Sequence, residues 1–108
     1  TVSAADFNAT SDRKVKENIV PLNASISLNK IKNINGVSFN FIDDENKTNK
    51  LGVIAQDIES EFPELVNTSD DKKSVNYNGF VAPFIECIKE LSSQIDELKK
   101  EIALLKSN

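Results

Sequence analysis

The stretch FVAPFIECIKELSSQIDELKKEIALLK, residues 80–106, decides how the rest of the chain is read. Its apolar residues Val81, Phe84, Ile88, Leu91, Ile95, Leu98, Ile102 and Leu105 recur at gaps alternating three and four. On a helix of 3.6 residues per turn that spacing draws one apolar stripe, the a and d seam of a coiled coil. Pro83 falls in the first turn, where its missing amide hydrogen costs little. With Ile88, Ile95 and Ile102 at a, Glu101 and Lys106 fall at g and e, where parallel neighbouring chains can pair them. Two readings compete: a helix laid on its own domain, or a helix buried by further copies. The second is preferred, because little else in the chain could cover so long a seam. By residue type alone, Ile at a with Leu at d favours two strands.

Composition points the same way. A chain of 108 residues buries a smaller fraction of its surface than a larger domain does, and association supplies what one copy lacks. Six Phe and one Tyr are the only aromatic residues, so large core-filling side chains are few. The net charge of −4 argues against nucleic acid or an anionic membrane as partner, since both need a basic surface. With no His and a single Cys, Cys87, the chain offers no zinc site, no His-based triad and no internal disulfide. No metal or cofactor is expected; the three Gly are far apart and form no phosphate-cradling loop. No apolar run is long enough to span a bilayer and no signal pattern opens the sequence, which reads as cytosolic. The first ten residues are small and polar and look like part of a longer polypeptide.

Working back from the seam, the sequence predicts a small mixed part of short helices and strands, hence an α+β chain. Residues 25–34, with Ile26, Leu28, Ile31 and Ile34, suit a short amphipathic helix stopped by Asn35-Gly36. Val37, Phe39 and Phe41 alternate with polar residues as a strand does, and residues 51–54 form its hairpin partner across a charged loop. Residues 55–62 carry Ile58 and Phe62 at a helical spacing and are stopped by Pro63. Leu65 and Val66 form a brief extended segment, 67–73 a polar loop and 74–77 a further strand. Asp57, Glu59, Glu61 and Glu64 read as a solvated acidic face. Cys87, at a g position, reads as a half-buried thiol without a chemical role.

One segment concentrates reactive groups: Ser-Asp-Arg-Lys-Val-Lys-Glu-Asn-Ile at 11–19. Without His, a Ser can be activated by a neutral Lys, which requires desolvation or nearby positive charge; Arg13 and Lys14 are such neighbours. The plainer reading is a solvated basic stretch in which Ser11 and Asp12 serve a turn or cap.

That segment, with Ile-Asn-Gly-Val-Ser-Phe-Asn-Phe at 34–41, Gly-Val-Ile-Ala-Gln-Asp-Ile-Glu at 52–59, Phe-Pro-Glu-Leu-Val at 62–66 and Val-Asn-Tyr-Asn-Gly at 75–79, resembles the intramolecular chaperone or S74 peptidase domain of phage tailspikes, tail fibres and neck appendages. The resemblance runs from Ser11 onward, in the order of the family's blocks. It implies that residues 1–10 end an upstream fibre or spike segment and that 11–108 form the chaperone domain, with a coiled-coil helix at 80–106. It implies a parallel homotrimer, where residue type alone leaned to two strands. It further implies that the domain helps three copies of the upstream fibre find register in the host cytoplasm during virion assembly and is then removed. Carried over by position, the family's cleavage falls between Thr10 and Ser11, with Ser11 and Lys16 as its catalytic pair. Lys14 stands where many members have Arg. An uncleaved trimerisation module and an adaptor that binds a foreign helix are the alternatives.

Overall fold

The computed structural model describes residues 8–107, so most of the predicted upstream piece at 1–10 lies outside the described residues. The order is a 3₁₀ turn at Arg13–Val15, α1 at Ala24–Lys32, β1 at Val37–Phe39, β2 at Lys50–Gly52, α2 at Ala55–Glu61, a 3₁₀ turn at Pro63–Leu65, β3 at Val66–Ser69, β4 at Lys72–Val75, a 3₁₀ turn at Tyr77–Phe80, and α3 at Val81–Lys106. This is the α+β arrangement expected, ending in a helix of 26 residues that at 1.5 Å per residue is about 39 Å long.

Helix α1 starts where Asn23 caps it: its side-chain oxygen accepts from the Ile26 amide at 2.9 Å, satisfying a donor the helix cannot. It ends at Asn33, two residues short of the predicted stop. The inward face also differs from expectation. Ser27 is buried whereas Ile26 is exposed, because α1 packs on the start of α3 and a small side chain lets the two backbones approach. On α3 the matching buried residues are Pro83 and Cys87. Cys87 is therefore more buried than predicted, and that burial pushes its thiol above the ordinary range.

Strands β1 and β2 pair antiparallel as predicted, with Val37 opposite Gly52 and Phe39 opposite Lys50. The strand stops before Phe41, which turns outward and meets Phe39 edge to face at 5.1 Å. In the connecting loop, the Thr48 and Asn46 amides donate to Asp44 at 3.0 Å each and hold its carboxyl below the usual range. A carboxyl held low contributes order above the ordinary carboxylate range and loses it as pH falls through the lowered value.

The polar segment 67–73 is not a loop. It forms most of a second hairpin, β3 against β4, with Val66 opposite Val75 and Ser69 opposite Lys72. Asp70 and Asp71, both at positive φ, make the two-residue turn; short polar side chains tolerate that conformation. The predicted strand at 74–77 accordingly ends at Val75. Two of the acidic residues around α2 also have partners: Glu59 meets Lys73 at 3.2 Å, and Glu61 accepts from Asn33 at 3.2 Å.

The core lies where α2, the second hairpin and the root of α3 meet. Ile58, Phe62, Leu65 and Phe80 form it, with Ile31, Ile34, Val53, Val66 and Val75 packed around. Phe62 and Phe80 contact edge to face at 5.8 Å, a favoured aromatic geometry. At Gly79 a Cβ would crowd the Leu65 side chain, which would have to shift to admit it. At Gly52 a Cβ would come within 2.8 Å of the Tyr77 hydroxyl, which accepts from the Val53 amide.

Ile58 is fully buried, so Ile58→Ala is expected to cost about 2–5 kcal/mol in a denaturant titration. Asn23→Ala removes only a cap and is expected to cost about 1 kcal/mol in the same measurement.

Candidate functional site

Ser11 and Lys16 are brought together by local backbone geometry. Asp12 caps the first 3₁₀ turn, its Oδ1 accepting from the Lys14 amide at 2.9 Å. The Val15 amide donates to the Asp12 carbonyl at 3.1 Å and the Lys16 amide to the Arg13 carbonyl at 3.2 Å. The turn folds the chain back, and the Lys16 ammonium donates to Ser11 Oγ at 2.7 Å. Just beyond, Asn18 adopts positive φ, a conformation that Asn enters more readily than most residues. Within one chain, then, Ser11 and Lys16 meet across five positions. The capping role weighed for Asp12 and the pairing of Ser11 with Lys16 belong to one turn.

Chemically, the contact has the heavy-atom distance for proton transfer between hydroxyl and amine. A neutral Lys16 would accept the Ser11 proton, reversing the hydrogen bond seen here. The Thr10 carbonyl is the neighbouring electrophile, one bond from the Ser11 nitrogen. Thr10, Ser11 and Lys16 are all exposed, as is every residue from 8 to 23. A single copy therefore leaves the pair in water, whereas a Lys base needs a drier or more positive setting.

The seam residues occupy one stripe of α3 and none is buried. Val81, Phe84, Ile88, Leu91, Ile95, Leu98, Ile102 and Leu105 range from 46% exposed at Leu91 to 74% at Leu105. The helix does rest on its own domain, but through a neighbouring stripe carrying Pro83 and Cys87, and only near its start. From Leu91 onward every described residue is exposed. A surface of 9290 Å² compares with about 6,000 Å² for a compact monomer of this mass, and a radius of gyration of 19.0 Å with about 13 Å. Among the described residues, no helix is long and apolar enough to cross a membrane.

Comparison with known sequences finds a family and relatives that this chain resembles. Residues 11–67 match the peptidase S74 family, described as the chaperone of endosialidase. The long tail fiber protein Gp37 of Salmonella phage S16 is 32% identical over 111 residues, covering 94% of this chain and 15% of the phage protein. Gp37 of Enterobacteria phage K3 is 27% identical over 109 residues, covering 94% of this chain and 9% of the relative. The chain thus spans a small part of the length of these relatives.

An apolar stripe left in water gains free energy from any surface that buries it, and the sequence pattern expects further copies to do so. Leu98→Glu is expected to lower the helical circular dichroism signal at 222 nm and to abolish any rise of the melting temperature with protein concentration. Asp96→Ala, off the seam, is expected to leave both unchanged.

Proposed function

The chain belongs to the chaperone-of-endosialidase family, and on that premise we propose that it is the trimerising domain of a phage fibre or spike, residues 11–108, which cuts itself from the upstream segment between Thr10 and Ser11. Three copies associate through parallel α3 helices, which brings three upstream chains into register. Ser11 and Lys16 then carry out one cleavage per copy. The observation that carries this reading is the 2.7 Å contact between the Lys16 amine and Ser11 Oγ, directly beside the proposed bond.

The steps balance with water as the only co-reactant. Neutral Lys16 takes the Ser11 hydroxyl proton, and the oxygen attacks the Thr10 carbonyl carbon. The tetrahedral intermediate collapses with cleavage of the C–N bond, and Lys16 returns its proton to the departing Ser11 nitrogen. The result is an ester between the Thr10 acyl group and Ser11 Oγ, with Ser11 bearing a free amine. Water hydrolyses the ester, leaving a carboxylate on Thr10 and regenerating the Ser11 hydroxyl. No second substrate is bound, so each copy turns over once.

Association and chemistry are linked through solvation. The pair has its distance in one chain but not its dryness, so assembly is the event that can supply the missing condition. A module that trimerises without cutting remains the second reading, supported by the same seam and by relatives whose names are those of fibre proteins.

A longer chain carrying the natural upstream segment, expressed and examined by intact mass, is expected to yield a fragment beginning at Ser11. Ser11→Ala is expected to stay whole. Lys16→Ala should slow cleavage by about 10²-fold or more, the usual contribution of a positioned base. Lys16→Arg should fare no better, because guanidinium does not give up its proton. Cleavage of Lys16→Ala at the normal rate would exclude the pair and leave the uncut module.

A further inference from the structure

Residues 8–23 form an arm that its own chain leaves bare. Val15, Ile19, Val20 and Leu22 are all exposed, and Val20 reaches 77%. Elsewhere in the same chain lies an open groove of about 740 Å³ to which Phe41, Ile42, Ile54 and Tyr77 contribute, with Asp43 and Lys73 among its polar members. Ile42 is 89% exposed. Arm and groove are separate from the α3 seam, and neither is explained by it.

Charge relates the two. Arg13, Lys14 and Lys16, with Asp12 and Glu17 among them, leave the head of the arm net positive, while Asp43, Asp44 and Glu45 follow directly on Ile42 at the groove. Near the groove, Lys73 pairs with Glu59 at 3.2 Å, and Lys47 donates to the Ile42 carbonyl at 3.1 Å. Asp44 accepts from amides of its own loop, whereas Asp43 lines the groove, with Glu45 two residues on.

Symmetry names the occupant. Copies held together along α3 present identical arms and grooves around one axis, so an arm entering the next copy's groove makes a head-to-tail contact that rotation closes into a ring. Tethering by the helices also raises the effective concentration of arm and groove far above that of free chains.

We propose that residues 15–22 of one copy dock in the Phe41–Tyr77 groove of the next, with Arg13 and Lys14 against Asp43 and Glu45. The proposal rests on the self-association read from the seam and adds a second interface, between the globular parts. It burial-couples the two ends of the domain: the root of the arm, where Ser11 and Lys16 meet, is carried onto the neighbouring copy and loses part of its water.

Engineered cysteine pairs test this in the full chain with Cys87→Ala as background. Val20→Cys with Ile54→Cys is one pair, and Ile19→Cys with Phe41→Cys allows for a shift of register. Leu98→Cys alone serves as the seam control. After mild oxidation, non-reducing gels are expected to show reducible bands of linked chains for at least one pair, with peptide mass spectrometry placing the link between arm and groove. A link within a single chain would overturn the proposal, because the arm would then fill its own groove. Absence of any arm–groove link while Leu98→Cys joins chains would also overturn it and leave the seam standing. Failure of the seam control would remove the self-association on which it rests.

Discussion

Along α3 water meets an apolar residue every three or four positions, and burying that stripe is the constraint on which the rest of the structure depends. One copy cannot meet it. The part of the chain able to cover apolar surface is small, with Ile58, Phe62, Leu65 and Phe80 as its centre, and α1 reaches only the first turns of the long helix. Covering is also angularly restricted: Pro83 and Cys87 face α1, and the seam lies on the adjacent stripe. The same helix thus has one face buried on its own domain and an adjacent apolar stripe left exposed.

Much of this was legible in the sequence because it depends on period. The heptad in α3, the alternation of Val37 and Phe39, and the helical spacing of Ile58 and Phe62 each announce an element, and each element forms. Period failed where side-chain hydrogen bonding or turn chemistry decides. The β3–β4 hairpin lies in a run of polar residues with no apolar alternation; its signal was the Asp70-Asp71 pair, whose left-handed backbone suits a two-residue turn. On α1 the close approach to α3 buries the small Ser27 and leaves the larger Ile26 beside it half-exposed, which apolar period does not foretell.

The Ser11 and Lys16 pair marks a different boundary. A separation of five residues says nothing about distance in an irregular segment, so the pairing rested on family resemblance alone. The physical cause of the 2.7 Å contact is the Asp12 cap, which tightens one turn and reverses the direction of the chain. Asp12 was visible as a capping residue, but not the consequence of its cap. What the turn does not provide is shelter: the pair stands in water, as do the apolar residues of the arm that follows. The globular part and the long helix therefore share one incompleteness, which a neighbouring copy would remedy for both.

Sedimentation equilibrium of the 108-residue chain over a range of concentrations tests the central claim most directly. The account predicts a species of three times the 11.9 kDa chain mass, dissociating only on dilution. A mass of one chain at every concentration would contradict it, and a mass of two would contradict the three-fold arrangement.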